Sequence, residues 1–221
     1  MSLCRRSIPL SLAEKEVSLE IDQQLVGGVD CVVWDSAIVA CKYFERLYSD
    51  DSSRIANKRV IELGAGTGVC SIALAALGAS VVCSDLTDAL PLLHHNVNIN
   101  EHLWKDKENV LSVRSLDWTS ATDHSSLKSE TYDLALLADC IYYEASLDPL
   151  LQVMKVLSDA NPDIEIVCVY EERDLGLPAK IQAQFLQITK EVFSISEVPL
   201  ESQHPSFRSS DIRVLLMKVH N

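Results

Sequence analysis

The sequence is poor in the residues that mark disordered chains and disulfide-rich extracellular domains. It has 7 Gly and 7 Pro among 221 residues, while 48% of its residues are hydrophobic. A buried core is therefore expected rather than disorder. The 7 cysteines are odd in number and form no Cys-x-x-Cys pair. We expect reduced thiols, several of them acting as small core residues, and a cytoplasmic or nuclear location.

Basic residues are scarce too. Lys and Arg number 19 against 32 Asp and Glu, which gives a formal net charge of −13. This balance argues against nucleic acid or an anionic membrane surface as the main partner. It favours a cationic ligand or a basic stretch of protein. The alternative is that the acidity serves solubility alone.

Two further kinds of site are not expected. The adjacent His94 and His95 point to different sides of a helix, and no spacing typical of a metal site occurs, so no metal is predicted. Residues 63–84 carry no charge and are long enough to span a bilayer. Their glycines and their β-branched end predict a loop, a short helix and a strand instead.

From Arg59 onward, short apolar strands alternate with helical patterns. The predicted strands are "RVIELG", "SVVCSD", "NVLSVRSLDW", "TYDLALLADCI", "DIEIVCVYEER", "FSISEVPL" and "DIRVLLMKVH". The predicted helices are "GVCSIALAALG", "DALPLLHHNVNINEHL", "SLDPLLQVMKVLSD" and "PAKIQAQFLQITKEV", while "ATDHSSLKSE" is interpreted as a loop. No helix separates the last two strands, so they form an antiparallel pair. The order predicts an α/β fold, with a seven-stranded, mostly parallel, Rossmann-like sheet covered by helices on both faces.

We predict a single domain. Residues 1–58 form an N-terminal extension with one helix, within "DCVVWDSAIVACKYFERL", which Asp30 or Asp35 would cap. Residues 59–221 form the Rossmann-like core.

A glycine loop, "ELGAGTG", follows the first core strand. Gly64, Gly66 and Gly68 allow the backbone to approach a ligand at the carboxyl ends of parallel strands. Val69 stands where a dinucleotide-binding loop would have its third glycine, so a dinucleotide-dependent oxidoreductase is disfavoured. The Gly-x-Gly-x-Gly spacing resembles the cofactor loop of S-adenosylmethionine-dependent methyltransferases.

Three side chains near the strand ends suit such a cofactor. Asp85 ends the second strand, where a carboxylate can accept both ribose hydroxyls; alternatively it caps the helix that starts near Thr87. Trp118 ends the third strand, and Trp34 precedes the core. Each can stack on adenine or face a sulfonium, or can be an ordinary core aromatic.

The stretch "ADCIYYE" ends a buried strand with a carboxylate and two phenols. A carboxylate is costly to bury without partners. Asp139 can receive a cation at this strand end, and a phenol can orient an amine. The alternative is that Asp139 caps the helix beginning near Ser146.

Together these pieces resemble family 16 of the class I, seven-stranded methyltransferases, which methylate protein lysines. The matching stretches are "VWDSAIVACKYFE", "ELGAGTGVCSIALAALGASVVCSDL", "ADCIYYEASLDPLL", "YEERDLG" and "EVPLESQHPSFRSSDIRVLLMK". They extend over roughly residues 15–220. Within the family, the likeness is to members that methylate valosin-containing protein, the hexameric AAA ATPase.

The resemblance implies S-adenosyl-L-methionine as cofactor and a monomer acting on a protein substrate, expected to be valosin-containing protein, with no nucleic acid or membrane partner. It implies catalytic roles for Asp139 and Tyr142, in a DxxY motif beside the acceptor lysine. It implies cofactor contacts at Trp34, Gly64, Ala65, Gly66, Asp85, Trp118 and Ala138.

Two rival functions remain. A nucleic-acid amino methyltransferase would share the fold, but those enzymes commonly carry (N/D)PP(Y/F) where this chain has "DCIY", and they need a basic face. A non-catalytic cofactor-binding or chaperone-docking module would also share it, although Asp139 and Tyr142 are intact.

Overall fold

Alternating strands and helices build a central sheet with a separate two-stranded hairpin beside it. The computed structural model describes residues 3–13, 15–104 and 110–220. The strands are β1 Leu3–Leu12, β2 Lys15–Gln24, β3 Arg59–Leu63, β4 Ser80–Asp85, β5 Leu111–Ser115, β6 Leu134–Ala138, β7 Glu165–Glu171, β8 Phe193–Glu197 and β9 Ile212–Val219. The α-helices are α1 Asp35–Asp50, α2 Val69–Ala76, α3 Leu90–Asn100, α4 Ala121–Leu127, α5 Leu147–Ala160 and α6 Gly176–Lys190.

The central sheet has seven strands in the order β5-β4-β3-β6-β7-β9-β8. Strands β3 to β7 pair in parallel, and β9 lies antiparallel between β7 and β8. This confirms the predicted fold, including the C-terminal antiparallel pair. The chain runs outward from β3 to β5 and then returns to β6 on the other side of β3. Ligands of open α/β sheets bind at such a reversal, beside the carboxyl ends of the strands.

The core lies on both faces of the sheet. Val60 and Leu136 belong to an apolar cluster with α1, α2 and the hairpin, whereas the neighbouring Ile61 and Leu137 belong to a second cluster with α5 and α6. This alternation along each strand is what a sheet covered on both faces requires. Six of the seven cysteines are buried, as expected of core residues, and Cys4 is exposed.

The N-terminal hairpin was not predicted from the sequence. Strands β1 and β2 pair antiparallel over their whole length. Their apolar residues alternate, and Ile8, Leu10, Leu19 and Ile21 are buried in the same cluster as α1 and α2. The period-2 pattern typical of a half-buried strand is thus present in the extension, in two short segments rich in polar residues.

Helix α3 completes the hydrogen bonding of the open edge of β2. The Asn96 side chain accepts from the amide of Asp22 at 2.9 Å and donates to its carbonyl at 3.0 Å. Asn100 does the same with Glu20, at 2.9 and 2.7 Å. Asn96 also donates to the carbonyl of Thr67, at 3.0 Å, and so connects the hairpin to the glycine loop. Asn96 and Asn100, four residues apart, lie on one face of the helix, and Glu20 and Asp22, two residues apart, point to the same side of the strand, so the two pairs can meet.

Two local predictions in the helices were wrong. The segment "ATDHSSLKSE" contains helix α4, and the hydroxyl of Ser120 caps it by accepting from the amide of Asp123 at 3.2 Å. Helix α1 begins at Asp35 with Trp34 at its cap position, and no side chain caps it. Asp30 lies in a separate turn of 3-10 helix. Within the described residues, no helix is long and apolar enough to cross a membrane. Residues 63–84 form the loop, helix and strand predicted for them.

Candidate functional site

A cavity of about 450 Å³ opens at the carboxyl ends of β3, β4 and β6, where the strand order reverses. All nine residues selected from the sequence line it. They are Trp34, Gly64, Ala65, Gly66, Asp85, Trp118, Ala138, Asp139 and Tyr142. The fold therefore brings the nine together in one place, and their individual roles stay predictions.

The glycine loop forms the floor of the cavity with bare backbone. Gly64, Gly66 and Gly68 have φ of 68°, 53° and 81°, in the left-handed region that favours glycine. A Cβ at position 64 would lie 3.0 Å from the Cys140 sulfur, and one at position 66 would lie 3.1 Å from the Asp30 carbonyl oxygen. A side chain at position 64 or 66 would therefore be strained by the positive φ and crowded by its neighbours, and glycine at both positions leaves the backbone accessible to a ligand.

Asp85 stands beside this loop at the end of β4. Its two carboxylate oxygens accept hydrogen bonds from the amides of Gly66 and Leu86, each at 2.7 Å. Burial raises the pKa of Asp85, and the two amide donors oppose that rise. Helix α3 begins at Leu90 with Ala89 as its cap, so the alternative that Asp85 caps this helix is wrong. A carboxylate has about four acceptor positions, and two remain for a ligand hydroxyl.

Glu62 is a buried acid in the cavity lining that sequence reasoning passed over. It is 1% exposed and accepts hydrogen bonds from both the amide and the hydroxyl of Ser71 on α2. Burial raises the pKa of Glu62 to about 7. The residue ties β3 to α2 directly beneath the glycine loop. A charged residue inside the otherwise apolar strand "RVIELG" was the signal that could have identified it.

Both tryptophans line the cavity, but their surroundings differ. Trp34 is 39% exposed, and its indole nitrogen donates to the carbonyl of Val29 at 2.9 Å. Trp118 is partly buried and packs against the apolar cluster that includes α5. It lies three residues beyond Ser115, where β5 ends, so the prediction that Trp118 ends this strand was wrong. Trp118 thus packs on the core and also lines the cavity, and its stacking on a cofactor stays a prediction.

Asp139 follows β6 in an unusual backbone conformation. Its φ is 57°, in the left-handed region that few non-glycine residues adopt. The amide of Asp139 donates to the carbonyl of Val169 at 2.8 Å, and its carboxylate accepts from the hydroxyl of Ser36 at 3.0 Å. Burial raises the pKa of Asp139, and the hydrogen bond from Ser36 opposes that rise. Ser146 occupies the cap position of α5, with no side-chain cap. The helix-cap alternative for Asp139 is therefore wrong.

Two tyrosines form the edge of the cavity next to Asp139. Tyr142 is 43% exposed and Tyr143 is 58% exposed, and their ring centroids are 4.4 Å apart. Burial of the phenol raises the pKa of Tyr142 to about 12. Tyr142 therefore keeps its proton at neutral pH and can donate a hydrogen bond. Exposed aromatic faces suit a cationic group at the mouth of the cavity.

The segment after β7 also reaches the cavity. Arg173 lines it, and the guanidinium is held by the carboxylate of Glu171 through two contacts of 2.8 Å. The buried Gln182 on α6 fixes this segment by accepting from the amide of Arg173 and donating to the carbonyl of Glu171. The stretch "YEERDLG" was recognised in the sequence as resembling the family, but its contacts with Gln182 depend on helix α6, which follows it. Among the described residues, no cluster of His, Cys, Asp or Glu could hold a metal ion.

Comparison with known proteins places this geometry in context. The family model described as "Lysine methyltransferase" matches residues 13–192. The chain is 34% identical to the protein N-lysine methyltransferase METTL21A of Danio rerio over 202 residues, covering 91% of this chain and 85% of the relative. It is 35% identical to the EEF1A lysine methyltransferase 3 of Xenopus tropicalis over 137 residues, covering 62% and 56% of the two chains.

Solved structures show the same fold at low sequence identity. The 16S rRNA methyltransferase RsmC of T. thermophilus, in complex with AdoMet and guanosine, superposes with a TM-score of 0.59 at 15% identity, covering all of this chain and 52% of that one. The magnesium protoporphyrin IX methyltransferase of Synechocystis with bound SAH gives 0.54 at 16% identity, covering 84% and 86%.

Proposed function

Because the chain belongs to the lysine methyltransferase family, whose model matches residues 13–192, we propose that its substrate is valosin-containing protein or a similar chaperone-type protein. The enzyme is an S-adenosyl-L-methionine-dependent protein-lysine N-methyltransferase. The likeness of the tryptophan, DxxY and C-terminal stretches to members that methylate this ATPase supports the proposal. One relative is named for EEF1A, so EEF1A is the first alternative substrate to test.

The cavity fits the cofactor. It has glycines at positions 64 and 66, where the backbone carries no side chain, and a carboxylate, Asp85, with acceptor positions left over. Gly64, Ala65 and Gly66 would hold the cofactor through the backbone, Asp85 through the ribose, and Trp118 through an aromatic face. The bound cofactor supplies an activated methyl group on a sulfonium.

The observation that carries the proposed chemistry is the position of Asp139. It lies at the junction between the glycine-lined cavity and the exposed edge formed by Tyr142 and Tyr143. In the proposed reaction the acceptor lysine enters past these exposed rings and approaches the Asp139 carboxylate. The site thus has a place for a cation at its entrance.

The residues of the site then prepare the acceptor amine. Free lysine has a pKa near ~10.4 and must lose a proton before it can act as a nucleophile. Asp139 attracts the ammonium, while burial between aromatic groups lowers its pKa. The hydroxyl of Tyr142 can orient the neutral amine, and the aromatic faces accept a cationic product. Alignment is the main task of the protein in such a transfer.

The test is transfer of label from S-adenosylmethionine to a soluble proteome, followed by the same assay on purified valosin-containing protein and purified EEF1A. A dominant labelled band at the size of the ATPase, with labelled lysine in its digest, supports the proposal. Label on EEF1A alone contradicts the proposed substrate and keeps the activity. Label in RNA would indicate the nucleic-acid methyltransferase, and cofactor binding without transfer would indicate the non-catalytic module.

The same proposal places the reaction in the cytoplasm or nucleus. Its support is the set of seven free cysteines, since oxidising compartments favour disulfides. Fractionation of cells that express the tagged chain tests this location.

A further inference from the structure

We propose that Ser36, on helix α1, is a positioning residue that fixes the rotation of the Asp139 carboxylate and keeps it available for the acceptor lysine. The inference rests on the proposed function of Asp139 and adds a residue to it. It also makes the N-terminal extension part of the active site, because Ser36 belongs to the extension and Asp139 to the core.

The contact joins a buried hydroxyl to a half-buried carboxylate. Ser36 is 0% exposed and lies in the first turn of α1, two residues after Trp34. Its hydroxyl donates to Oδ2 of Asp139 at 3.0 Å, across 103 positions of the sequence. A buried hydroxyl needs a partner, and a hydrogen bond to an ionised carboxylate is stronger than one between neutral groups.

The backbone of Asp139 explains why a second anchor is needed. In a regular strand the pleat alone directs each side chain to one face of the sheet. Asp139 has left the strand with φ of 57°, so the pleat no longer sets the direction of its side chain. The contact with Ser36 supplies that direction. Positive φ is tolerated by Asp more readily than by most residues, which lets the acid occupy the position.

Other groups face the Asp139 carboxylate. On its own loop is Cys140, and on β7 is Cys168, both buried thiols whose pKa is raised by burial and further by the charge of Asp139. Beyond β7 lies Arg173, whose charge lowers the pKa of Asp139. The charged neighbour on α1, Asp35, is exposed. A hydrogen bond from the backbone of Glu171 also lowers the pKa of Asp139, so Ser36 supplies the side-chain hydrogen bond and Glu171 the backbone one.

The first experiment measures Asp139 itself. Carboxyl carbons of aspartate are labelled with ¹³C and titrated by NMR in the wild-type protein and in Ser36→Ala, with Asp139→Asn identifying the resonance. We expect the midpoint of Asp139 to move to higher pH in Ser36→Ala, because a donor to the charged form is lost. An unchanged midpoint overturns the inference, and this readout does not depend on any methyltransferase activity.

The second experiment measures turnover. Ser36→Ala should lose about tenfold in kcat/KM at neutral pH, with the acid limb of the pH profile moved upward and the affinity for S-adenosylhomocysteine unchanged. Ser36→Thr, which keeps the hydroxyl, should restore the profile. Ser158→Ala is the matched control, since Ser158 is a buried helical serine whose hydroxyl has no partner among the described residues. It should leave the profile unchanged.

A double variant separates positioning from general support. In the Asp139→Asn background, Ser36→Ala should add little further loss, because the group it positions has already lost its charge. Fully additive losses would overturn the inference while leaving the proposed function in place. Conversely, a wild-type enzyme that labels no protein would contradict the proposed function, and the NMR titration would still decide on Ser36.

Discussion

The two halves of the site use the same unusual backbone conformation for opposite purposes. In the proposed cofactor half, formed by the loop 64–68 and Asp85, the residues with positive φ are glycines, and the backbone of Gly64 and Gly66 lines the cavity. In the acceptor half, formed by residues 139–143, the residue with positive φ is Asp139. The strained position there carries a charge. One half provides room and the other provides a fixed carboxylate beside exposed aromatic rings.

The largest effect should come from neutralising the acceptor half. Asp139→Asn should lose at least ~100-fold in kcat/KM, equivalent to nearly 3 kcal/mol of transition-state stabilisation. The variant should fold, since Asn also tolerates positive φ. Calorimetry should show unchanged affinity for S-adenosylhomocysteine. Near-wild-type methylation by the folded variant would show that the acceptor half does not depend on the charge of Asp139.

The buried acid beneath the glycine loop predicts a pH effect on stability rather than on activity. The pKa of Glu62 rises from 4.5 to about 7 on folding. The contribution of the Glu62 carboxyl to the free energy of unfolding is therefore fully present below pH 4.5 and is lost as the pH rises through 7, by roughly 3–4 kcal/mol at about 1.4 kcal/mol per pKa unit.

Urea unfolding at pH 5 and pH 8 tests the Glu62 prediction. The wild-type protein should lose more free energy of unfolding between these pH values than Glu62→Gln, in which the titrating group is absent. Equal losses in the two proteins would show that Glu62 has no part in the pH dependence.

In the cofactor half, Asp85→Ala should weaken S-adenosylhomocysteine binding by about 1.5–3 kcal/mol, the usual range for a hydrogen bond to a charged group. Asp85→Asn is the control, because one amide oxygen can still accept from Gly66 or Leu86. It should fall between the wild-type protein and the alanine variant. Unchanged affinity in a folded Asp85→Ala protein would show that Asp85 does not bind the ribose.

A smaller effect is expected at the aromatic edge. Tyr142→Phe should lose about tenfold in kcat/KM, since one neutral hydrogen bond is worth about 1 kcal/mol. The ring and its packing stay in place, so cofactor affinity should not change. Tyr143→Phe, one position further along and more exposed, should lose less. An equal loss in both variants would argue against a specific role for the Tyr142 hydroxyl.

The smallest effect concerns the overall charge. If the net charge of −13 attracts a basic segment of the substrate, kcat/KM should fall a few-fold as salt rises from ~0.05 to ~0.3 M, because screening shortens the range of the attraction. Cofactor affinity, measured in the same buffers, should change less. If kcat/KM does not depend on salt, the net charge does not attract the substrate, and the alternative that it serves solubility is favoured.

Much of the fold could be predicted because the core strands carry unambiguous patterns. Runs such as "LALLA" in β6 are apolar throughout, as strands covered on both faces must be. The hairpin and α4 escaped prediction for a different reason. Helix α4 has seven residues, too few for a periodic pattern, and the edge of β2 depends on Asn96 and Asn100 of a distant helix. The period-2 pattern of the hairpin was present in the sequence, but in segments rich in polar residues, and the contacts of its edge with the asparagines leave no local signal.

The candidate site likewise contains residues that could be predicted from the sequence and residues that could not. The glycines, Asp85, Ala138 and Asp139 could be predicted to meet because they lie at or just after the carboxyl ends of parallel strands, which converge at one edge of the sheet. The partners that hold them were not predictable, since Ser36, Ser71 and Gln182 are polar residues inside helices, where a sequence offers no reason to prefer them. Helix-cap alternatives for Asp85 and Asp139 stayed open in the sequence for the same reason. Only packing shows that the two carboxylates have other partners.

The contacts of Asn96 and Asn100 with β2 also have a consequence for folding during synthesis. The backbone groups of Glu20 and Asp22 find their partners 80 and 74 positions later in the chain. At about 5–20 residues added per second, the ribosome needs roughly 4–16 s to supply them. During that interval the edge of the hairpin exposes unpaired amides and carbonyls, the template on which strands of other nascent chains can pair. The N-terminal hairpin is therefore protected from such pairing only after helix α3 has been synthesised.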